Sequence, residues 1–297
     1  MPCVELPTLV RSVIRITSED GKPVCVAELK GFGVYLDNDS LIDLAKGSAS
    51  RRQRLVDAIQ RGGTLLFSWT NAAEIAGPQG ASASAVSAFL DSIGPDWVPL
   101  ELNPWRVIER ERAGPVERAP VSEHFMEAYF QQRAYDLSPE GTEILDLSAE
   151  SFFRLGAVLE WVHEDRDAIR QNARNIDQAL RERLEQLRAE YESDPASLNR
   201  ELPPIPFDEG RPATFVWVHL QRMLVLEAKA FRFKDNDGLD FCHAVLAASY
   251  GSLATLDRQW RRRVEQLPKP NNVAKVYYRP EVDELVGILE SLVTPRS

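Results

Sequence analysis

The order of apolar runs and amphipathic segments predicts the fold class. Short apolar runs occur at GVYLD (33–37), TLLFSW (64–69) and WVPLEL (97–102), and apolar residues recur at helical spacing between them. The same alternation resumes near the end of the chain with SLATLD (252–257) and AKVYYR (274–279). Strands that alternate with helices indicate a parallel sheet covered on both faces. We therefore predict an α/β fold with a central parallel sheet in a three-layer α/β/α arrangement.

The middle of the chain departs from this alternation. Residues 103–212 are highly charged, and the segment 150–191 has apolar residues every three or four positions, which predicts a long helix or a helical hairpin. The Pro-rich stretch 202–212 is typical of an extended linker. We therefore predict one α/β domain formed by residues 1–102 and 213–297, interrupted by a mainly helical acidic insertion at 103–212.

The N-terminal part carries a different pattern again. In the segment 8–30, the apolar stretches TLVRSVIRI and PVCVAEL flank EDGK, whose Asp-Gly pair suits a tight turn. This arrangement predicts a β-hairpin, and we treat residues 1–32 as an N-terminal hairpin extension of the α/β domain.

Composition and charge limit the possible functions. With 44% hydrophobic and 27% charged residues, the chain has the balance of a soluble globular protein. Its net charge of −10 argues against binding nucleic acid through a general basic surface, because such binding neutralises phosphates. Residues 101–212 hold 24 acidic and 14 basic residues, whereas the other 185 residues hold 21 of each. The excess of acid therefore belongs to the insertion.

Cysteine usage and hydropathy predict a cytoplasmic protein without a membrane partner. Cys3, Cys25 and Cys242 are scattered, with no CxxC pair. No apolar run reaches the ~18 residues that span a bilayer. The N-terminus lacks the basic flank and apolar core of a signal peptide. We expect the thiols to be structural.

Acidic residues stand where the strands of the predicted sheet end. In a parallel α/β sheet, ligands bind at the carboxyl ends of the strands. Four acids satisfy this rule: Asp37 ends GVYLD, Glu74 follows TLLFSW, Asp240 opens the helix that contains FCHAVLAASYG, and Asp257 ends SLATLD. If the four switch points share one edge of the sheet, the four carboxylates converge.

Such convergence predicts a cation. Two like charges ~4 Å apart repel by ~4 kcal/mol at an effective dielectric near 20, so clustered carboxylates either protonate or bind a cation. Oxygen ligands suit Mg²⁺ or Mn²⁺. A metal held by carboxylates can polarise a phosphodiester and activate water, which is the chemistry of phosphodiester hydrolysis.

Three stretches, YLDNDSLIDLA, NAAEIAG and DGLDFCHAVLAASYGSLATLD, resemble in order and spacing the PIN-like nuclease family. The resemblance covers roughly 33–100 and 225–290, and the large helical insertion is a departure from the family's usual small size. It implies a Mg²⁺- or Mn²⁺-dependent endonuclease that most often cleaves RNA. The residues it implies as catalytic metal ligands are Asp37, Glu74, Asp240 and Asp257, with Asp237 as an auxiliary acid.

Further residues are candidates for holding the substrate or a partner. Arg258, Arg261 and Arg262 directly follow Asp257 and could bind a phosphate backbone, although a solvated helix face is the commoner meaning of such clusters. Thr70 lies at the predicted active edge and could orient a phosphate or begin a helix. We expect the insertion to contact a protein partner or a second copy of the chain, or to gate the site.

Each acid also has a structural interpretation. Asn71 with Glu74, and Asp237 with Asp240, have the spacing of a capping box, and Asp37 and Asp257 could each cap a helix.

Two other functions remain open. The first is a non-catalytic PIN-like interaction module in a toxin–antitoxin or defence assembly. The second is a haloacid-dehalogenase-like phosphatase, for which DND at 37–39 is a superficial match without the Lys and DD motifs that should follow.

Overall fold

The structure is a computed structural model. It describes residues 13–19, 22–29, 31–75, 80–101, 103–114, 119–122, 125, 143–145, 154–228, 231–234 and 236–293.

The strands of this part of the chain belong to two sheets. In chain order they are β1 (Val13–Glu19), β2 (Lys22–Glu28), β3 (Phe32–Tyr35), β4 (Gly63–Ser68), β5 (Trp97–Leu100), β6 (Ala119–Pro120), β7 (Glu143–Leu145), β8 (Leu253–Thr255) and β9 (Lys275–Tyr277).

Helices connect and cover the strands. They are α1 (Asn38–Lys46), α2 (Ala49–Gly62), α3 (Trp69–Ile75), α4 (Gly80–Ser92), α5 (Pro104–Ala113), α6 (Leu155–Ser193), α7 (Ser197–Glu201), α8 (Pro212–Leu226), α9 (Asp237–Tyr250), α10 (Arg258–Glu265) and α11 (Val282–Val293), with a 3₁₀ turn at Arg279–Glu281.

The central sheet has five strands, all parallel, in the order β5-β4-β3-β8-β9. Strand β4 is buried along its whole length, as expected of a parallel strand covered on both faces. Helices α2 and α11 contact each other, and α5, α6, α8 and α9 form a second group of mutually contacting helices. The predicted α/β fold with a central parallel sheet is confirmed, and it is consistent with a three-layer α/β/α arrangement.

The N-terminal hairpin is also confirmed, and the insertion completes it. Strands β1 and β2 pair antiparallel, with Glu19 opposite Lys22. The turn residues 20 and 21 lie outside the described residues. Strands β6 and β7 come from the insertion and pair with β2 and β1, which gives a sheet with the order β6-β2-β1-β7. The insertion is therefore not purely helical, since its short strands cover hairpin edges that would otherwise expose unpaired backbone groups.

The largest element of the insertion is one continuous helix. Helix α6 has 39 residues, so the alternative of a helical hairpin is excluded for this segment. At 1.5 Å per residue it is roughly 58 Å long. Its buried residues fall at helical spacing on one side, and α6 contacts α3, α4, α8 and α9. The insertion thus packs directly against the α/β part of the chain.

A close contact joins the middle of α6 to α9. The N–H of Gly238, in the first turn of α9, donates to Oδ1 of Asp177 on α6 over 2.7 Å. A Cβ at position 238 would stand 2.6 Å from that oxygen, so only glycine allows this approach. The contact holds the middle of α6 against the start of α9.

Two further expectations concern thiols and membranes. Cys242 is fully buried and packs in the core. Among the described residues, none of the helices is both long and apolar enough to span a membrane.

Candidate active site

A cleft of about 630 Å³ opens at the carboxyl ends of the central strands. This volume lies within the usual range for ligand sites. Its lining combines carboxylates, amides and two arginines with a few apolar side chains. The lining residues are Asp37, Asn38, Asp39, Glu74, Arg170, Ala173, Arg174, Asn236, Leu239, Asp240, His243, Leu256, Asp257 and Trp260.

The topology of the sheet explains why the four predicted acids meet. Asp37 and Asp257 follow the ends of the neighbouring strands β3 and β8, and Glu74 lies in the helix after β4. Helix α9 runs back toward the start of β8, so its first turn, with Asp240, stands at the same edge. All four acids line the cleft. We call Asp37, Glu74, Asp240 and Asp257 the carboxylate wall.

Asp37 is held by two neighbours. Its Oδ1 accepts from the N–H of Ser40 and from the hydroxyl of Thr255, each over 3.0 Å. The N–H of Asp37 in turn donates to Oγ1 of Thr255 over 2.9 Å. Asp37 therefore caps α1, as the structural interpretation predicted, and it also lines the cleft. Its Oδ2 accepts no hydrogen bond from a described residue.

Asp257 combines the same two roles. Its Oδ1 accepts from the N–H of Trp260 over 2.8 Å and so caps α10. Its side chain is otherwise exposed to the cleft. The capping role uses one oxygen of the carboxylate and leaves Oδ2 without a partner among the described residues.

Glu74 has no capping role. The capping box at the start of α3 is formed instead by Ser68, whose Oγ accepts from the N–H of Asn71, and by Asn71, whose Oδ1 accepts from the N–H of Ser68. Both of these bonds measure 3.1 Å. The interpretation of Asn71 and Glu74 as a capping box is therefore wrong, because the box lies one helical turn earlier, at Ser68 and Asn71. Glu74 is instead oriented by Asn38, whose side-chain N–H donates to Oε2.

Asp240 differs from the other three acids because nothing holds it. Its carboxylate has no hydrogen-bond or ion-pair partner among the described residues. The pairing of Asp237 with Asp240 as a capping box is therefore wrong. Desolvation, followed by the charges of Asp257 and Glu74, raises the pKa of Asp240 to about 7. The carboxyl group of Asp240 is therefore partly protonated near neutral pH.

The other acids show how closely the charges interact. Desolvation raises the pKa of Asp37 and of Glu74, and the charge of Asp39 contributes to both shifts. The side chain of Glu74 is exposed at the mouth of the cleft. The surrounding protein nevertheless displaces part of the water around its carboxylate and so disfavours the charged form. The charge of Arg170 acts in the opposite direction on Glu74. The carboxylate wall is a region of concentrated negative charge.

A buried polar network lies behind the cleft. The hydroxyl of Tyr35 donates to Oδ1 of Asn71 over 3.2 Å and contacts Nδ1 of His243. Asn71 donates from its side-chain nitrogen to Oδ1 of Asn38 over 3.0 Å. Burial lowers the pKa of His243 to about 4, so His243 is neutral at physiological pH. The network links the core to the amide that orients Glu74.

Other predicted residues take different positions. Asp237 is buried, and its Oδ2 accepts from the N–H of Lys234 over 2.5 Å, so it secures the loop before α9. Arg261 pairs with Glu265 and Glu281, and Arg262 pairs with Glu227. Arg258 is exposed. None of these four residues lines the cleft. The side chain of Thr70 lies outside the described residues.

The cleft also contains residues that the sequence did not single out. Arg170, Ala173 and Arg174 of α6 line it, as does Asn38. We call Arg170 and Arg174 the arginine wall. Their spacing of four residues places them on one face of a helix, but this pattern is common on solvated helices. Their location follows from the packing of α6 against α3, α4, α8 and α9.

The donor set of the cleft suits a hard cation. Among the described residues, no three His, Cys, Asp or Glu side chains lie close enough together to hold one ion. Mg²⁺ commonly uses one or two carboxylates and completes its shell with water and substrate phosphate. The unpartnered carboxylate of Asp240, together with the free oxygen of either Asp37 or Asp257, provides donors of this kind.

Comparisons of this chain with protein-family models, with curated proteins and with solved structures find no match. The resemblance of its motifs to the PIN-like family therefore stays a prediction.

Proposed function

We propose that this protein is a PIN-like, divalent-metal-dependent endonuclease that hydrolyses phosphodiester bonds in RNA. The observation that carries the proposal is the meeting of four acids at one sheet edge, among them the unpartnered Asp240 with a pKa near 7. Perturbed carboxyl groups in a cleft are typical of functional sites. RNA is the substrate that the motif resemblance implies.

In this proposal some residues of the cleft hold the metal and others orient those ligands. Asp240, Asp257, Asp37 and Glu74 would hold one or two ions of Mg²⁺ or Mn²⁺, with no more than two of these acids on each ion. The bound metal would polarise the phosphate and lower the pKa of water. Thr255, the N–H of Trp260 and Asn38 orient Asp37, Asp257 and Glu74 respectively. Fixed ligands of this kind reduce the reorganisation needed to reach the transition state.

The reaction is a hydrolysis. The oxygen of a water molecule bonds to phosphorus, the bond from phosphorus to one ester oxygen breaks, and that leaving oxygen takes up a proton. Asp240 would act as a metal ligand in this reaction, because binding of a divalent cation keeps a carboxylate deprotonated. The proton that the attacking water loses passes to solvent. No covalent intermediate with the protein is required.

Cleavage of a labelled RNA oligonucleotide with and without Mn²⁺ tests the proposal. We expect cleavage by the wild-type chain that EDTA abolishes, and a loss of about 10³-fold in Asp240→Asn, equivalent to several kcal/mol of transition-state stabilisation. Asp57→Asn is the matched control, because Asp57 lies on α2 and accepts from Gln53 outside the cleft. Cleavage by Asp240→Asn at the wild-type rate would refute the proposal. A DNA oligonucleotide of the same sequence tests the choice of RNA.

A second function is favoured by a specific observation. Asp37 and Asp257 both cap helices, and no group of three ligands stands ready for one ion in the described residues. Both facts suit a non-catalytic PIN-like interaction module whose acids serve the fold. Titration with Mn²⁺ by calorimetry separates the two functions, because the module requires no binding that depends on Asp240.

A further inference from the structure

We propose that Arg170 and Arg174 of α6 form a binding site for the backbone phosphates of a single-stranded nucleic acid, so that the insertion supplies part of the substrate site. The nature of the ligand rests on the proposed function. The positions of the two arginines do not, because they follow from the packing of α6 against the α/β part of the chain.

The face of α6 that carries these arginines is fixed by contacts. Arg170, Arg174 and Asp177 are spaced by four and three residues and therefore lie along one face. Asp177 on that face accepts from the N–H of Gly238 at the start of α9, over 2.7 Å. The first turn of α9 also contains Asp240. The same docking contact that holds α6 in place thus directs Arg170 and Arg174 into the cleft.

The two guanidinium groups are not used by the fold. Neither Arg170 nor Arg174 has a hydrogen-bond or ion-pair partner among the described residues, although Arg170 is near enough to Glu74 to lower its pKa. By contrast, Arg181 and Arg183 on the same helix pair with Asp177 and Glu201. The arginines inside the cleft are therefore available to a ligand.

The arrangement matches the charges of the proposed substrate. Arginine binds phosphate through a planar fork of donors and suits such sites better than lysine. Ala173, between the two arginines, has a short side chain and leaves room in the cleft. The backbone phosphates of a nucleic acid in the cleft would be attracted both by the guanidinium groups of the arginine wall and by a cation bound to the carboxylate wall. The basic residues of this site come from the insertion, although that insertion is acidic overall.

Binding of RNA without cleavage tests this inference. Fluorescence anisotropy is measured in EDTA with two labelled ten-nucleotide RNAs of different sequence, at several salt concentrations. For Arg170→Ala/Arg174→Ala we expect affinity to fall about tenfold or more for both sequences. The plot of log affinity against log salt has a negative slope, and its magnitude should fall by about one to two, because phosphate contacts are lost. Arg170→Lys/Arg174→Lys should recover most of the slope, because it keeps both charges.

The matched control is Arg183→Ala/Arg200→Ala. It removes the same charge from α6 and α7, but both residues pair with acids away from the cleft. We expect it to bind within twofold of wild type, and thermal melting of every variant checks the fold. Equal affinity and salt slope for wild type and Arg170→Ala/Arg174→Ala would overturn the inference, and so would a wild-type chain that does not bind either RNA.

The outcome is separable from that of the proposed nuclease. If the wild-type chain binds RNA through Arg170 and Arg174 but does not cleave it with Mn²⁺, the nuclease proposal fails and the inference stands. If the wild-type chain cleaves RNA and Arg170→Ala/Arg174→Ala has the same KM and the same affinity, the inference fails and the nuclease proposal stands.

Discussion

The carboxylate wall and the arginine wall share one cleft but arise from the chain in different ways. The carboxylates follow strand ends or open a helix of the α/β part, so their convergence is a consequence of parallel topology. The arginines reach the cleft because a 39-residue helix from the insertion docks on α9. The comparison shows that side chains of the insertion line a cleft whose other wall is positioned by the sheet.

The first prediction concerns the electrostatic cost of the carboxylate wall. The pKa of Asp240 is about 7 in the folded chain and near 3.8 when unfolded. Because folding raises the pKa of Asp240, protonation of this group stabilises the folded chain. This stabilisation is fully present below the unfolded pKa and is lost as the pH rises through about 7. From pH 5 to pH 8, wild type should lose up to about 3 kcal/mol relative to Asp240→Asn.

Urea unfolding at the two pH values measures this difference, with Asp57→Asn as the control. Addition of Mn²⁺ at pH 8 should restore part of the loss in wild type, because a ligand that binds only the folded chain stabilises it. A pH dependence that is the same in wild type and Asp240→Asn would show that the acids do not interact as described.

The second prediction concerns the orientation of Glu74 by Asn38. Asn38→Ala removes the donor to Oε2 and should lower Mn²⁺ affinity and cleavage by about 10- to 100-fold, as for other supports of metal ligands. The control is Asn175→Ala, since Asn175 accepts only from the exposed Gln171. Calorimetry and initial rates give the two readouts. Unchanged Mn²⁺ affinity in Asn38→Ala would remove Glu74 from the proposed metal site.

The third prediction concerns Thr255. Thr255→Val keeps the shape of the side chain but leaves the N–H of Asp37 without its acceptor, which should cost about 1–2 kcal/mol of stability. Thr255→Ser should retain most of the stability, because it keeps the hydroxyl. Urea unfolding of the three chains measures the effect. If Thr255→Val and Thr255→Ser lose equal stability, the effect is one of packing and not of the hydrogen bonds to Asp37.

The smallest predicted effect compares two groups of arginines. The sequence draws attention to Arg258, Arg261 and Arg262, whereas the structure brings Arg170 and Arg174 into the cleft. Because Arg261 is paired with Glu265 and Glu281, we expect Arg261→Ala to change RNA affinity by no more than about twofold. Anisotropy under the conditions used for Arg170→Ala/Arg174→Ala provides the comparison. A larger loss for Arg261→Ala would move the phosphate site to α10.

The sequence predicts the central sheet and the hairpin well because both follow from local pattern. Apolar runs such as TLLFSW mark buried strands, and the helices between them impose parallel pairing. The same rule correctly brings Asp37, Glu74, Asp240 and Asp257 to one cleft. Strands β6 and β7 were not predicted, because two- and three-residue strands depend on a partner edge and leave no periodic signal.

The roles of individual side chains were harder to predict. The spacing of Asn71 and Glu74 fits a capping box, but Ser68 competes for the same helix start and takes it. Asn38 has no motif that indicates its contact with Glu74, because 36 residues separate the two. Arg170 and Arg174 required knowledge of how α6 docks. These features depend on tertiary contacts between distant parts of the chain.

Binding of a divalent cation to the carboxylate wall through Asp240 is tested most directly by a calorimetric titration of the wild-type chain and of Asp240→Asn with Mn²⁺ at pH 7.5. We expect saturable binding by wild type that weakens at least about tenfold in Asp240→Asn, because the variant loses a charged ligand. Equal affinity in the two chains, or no binding by wild type, would contradict it.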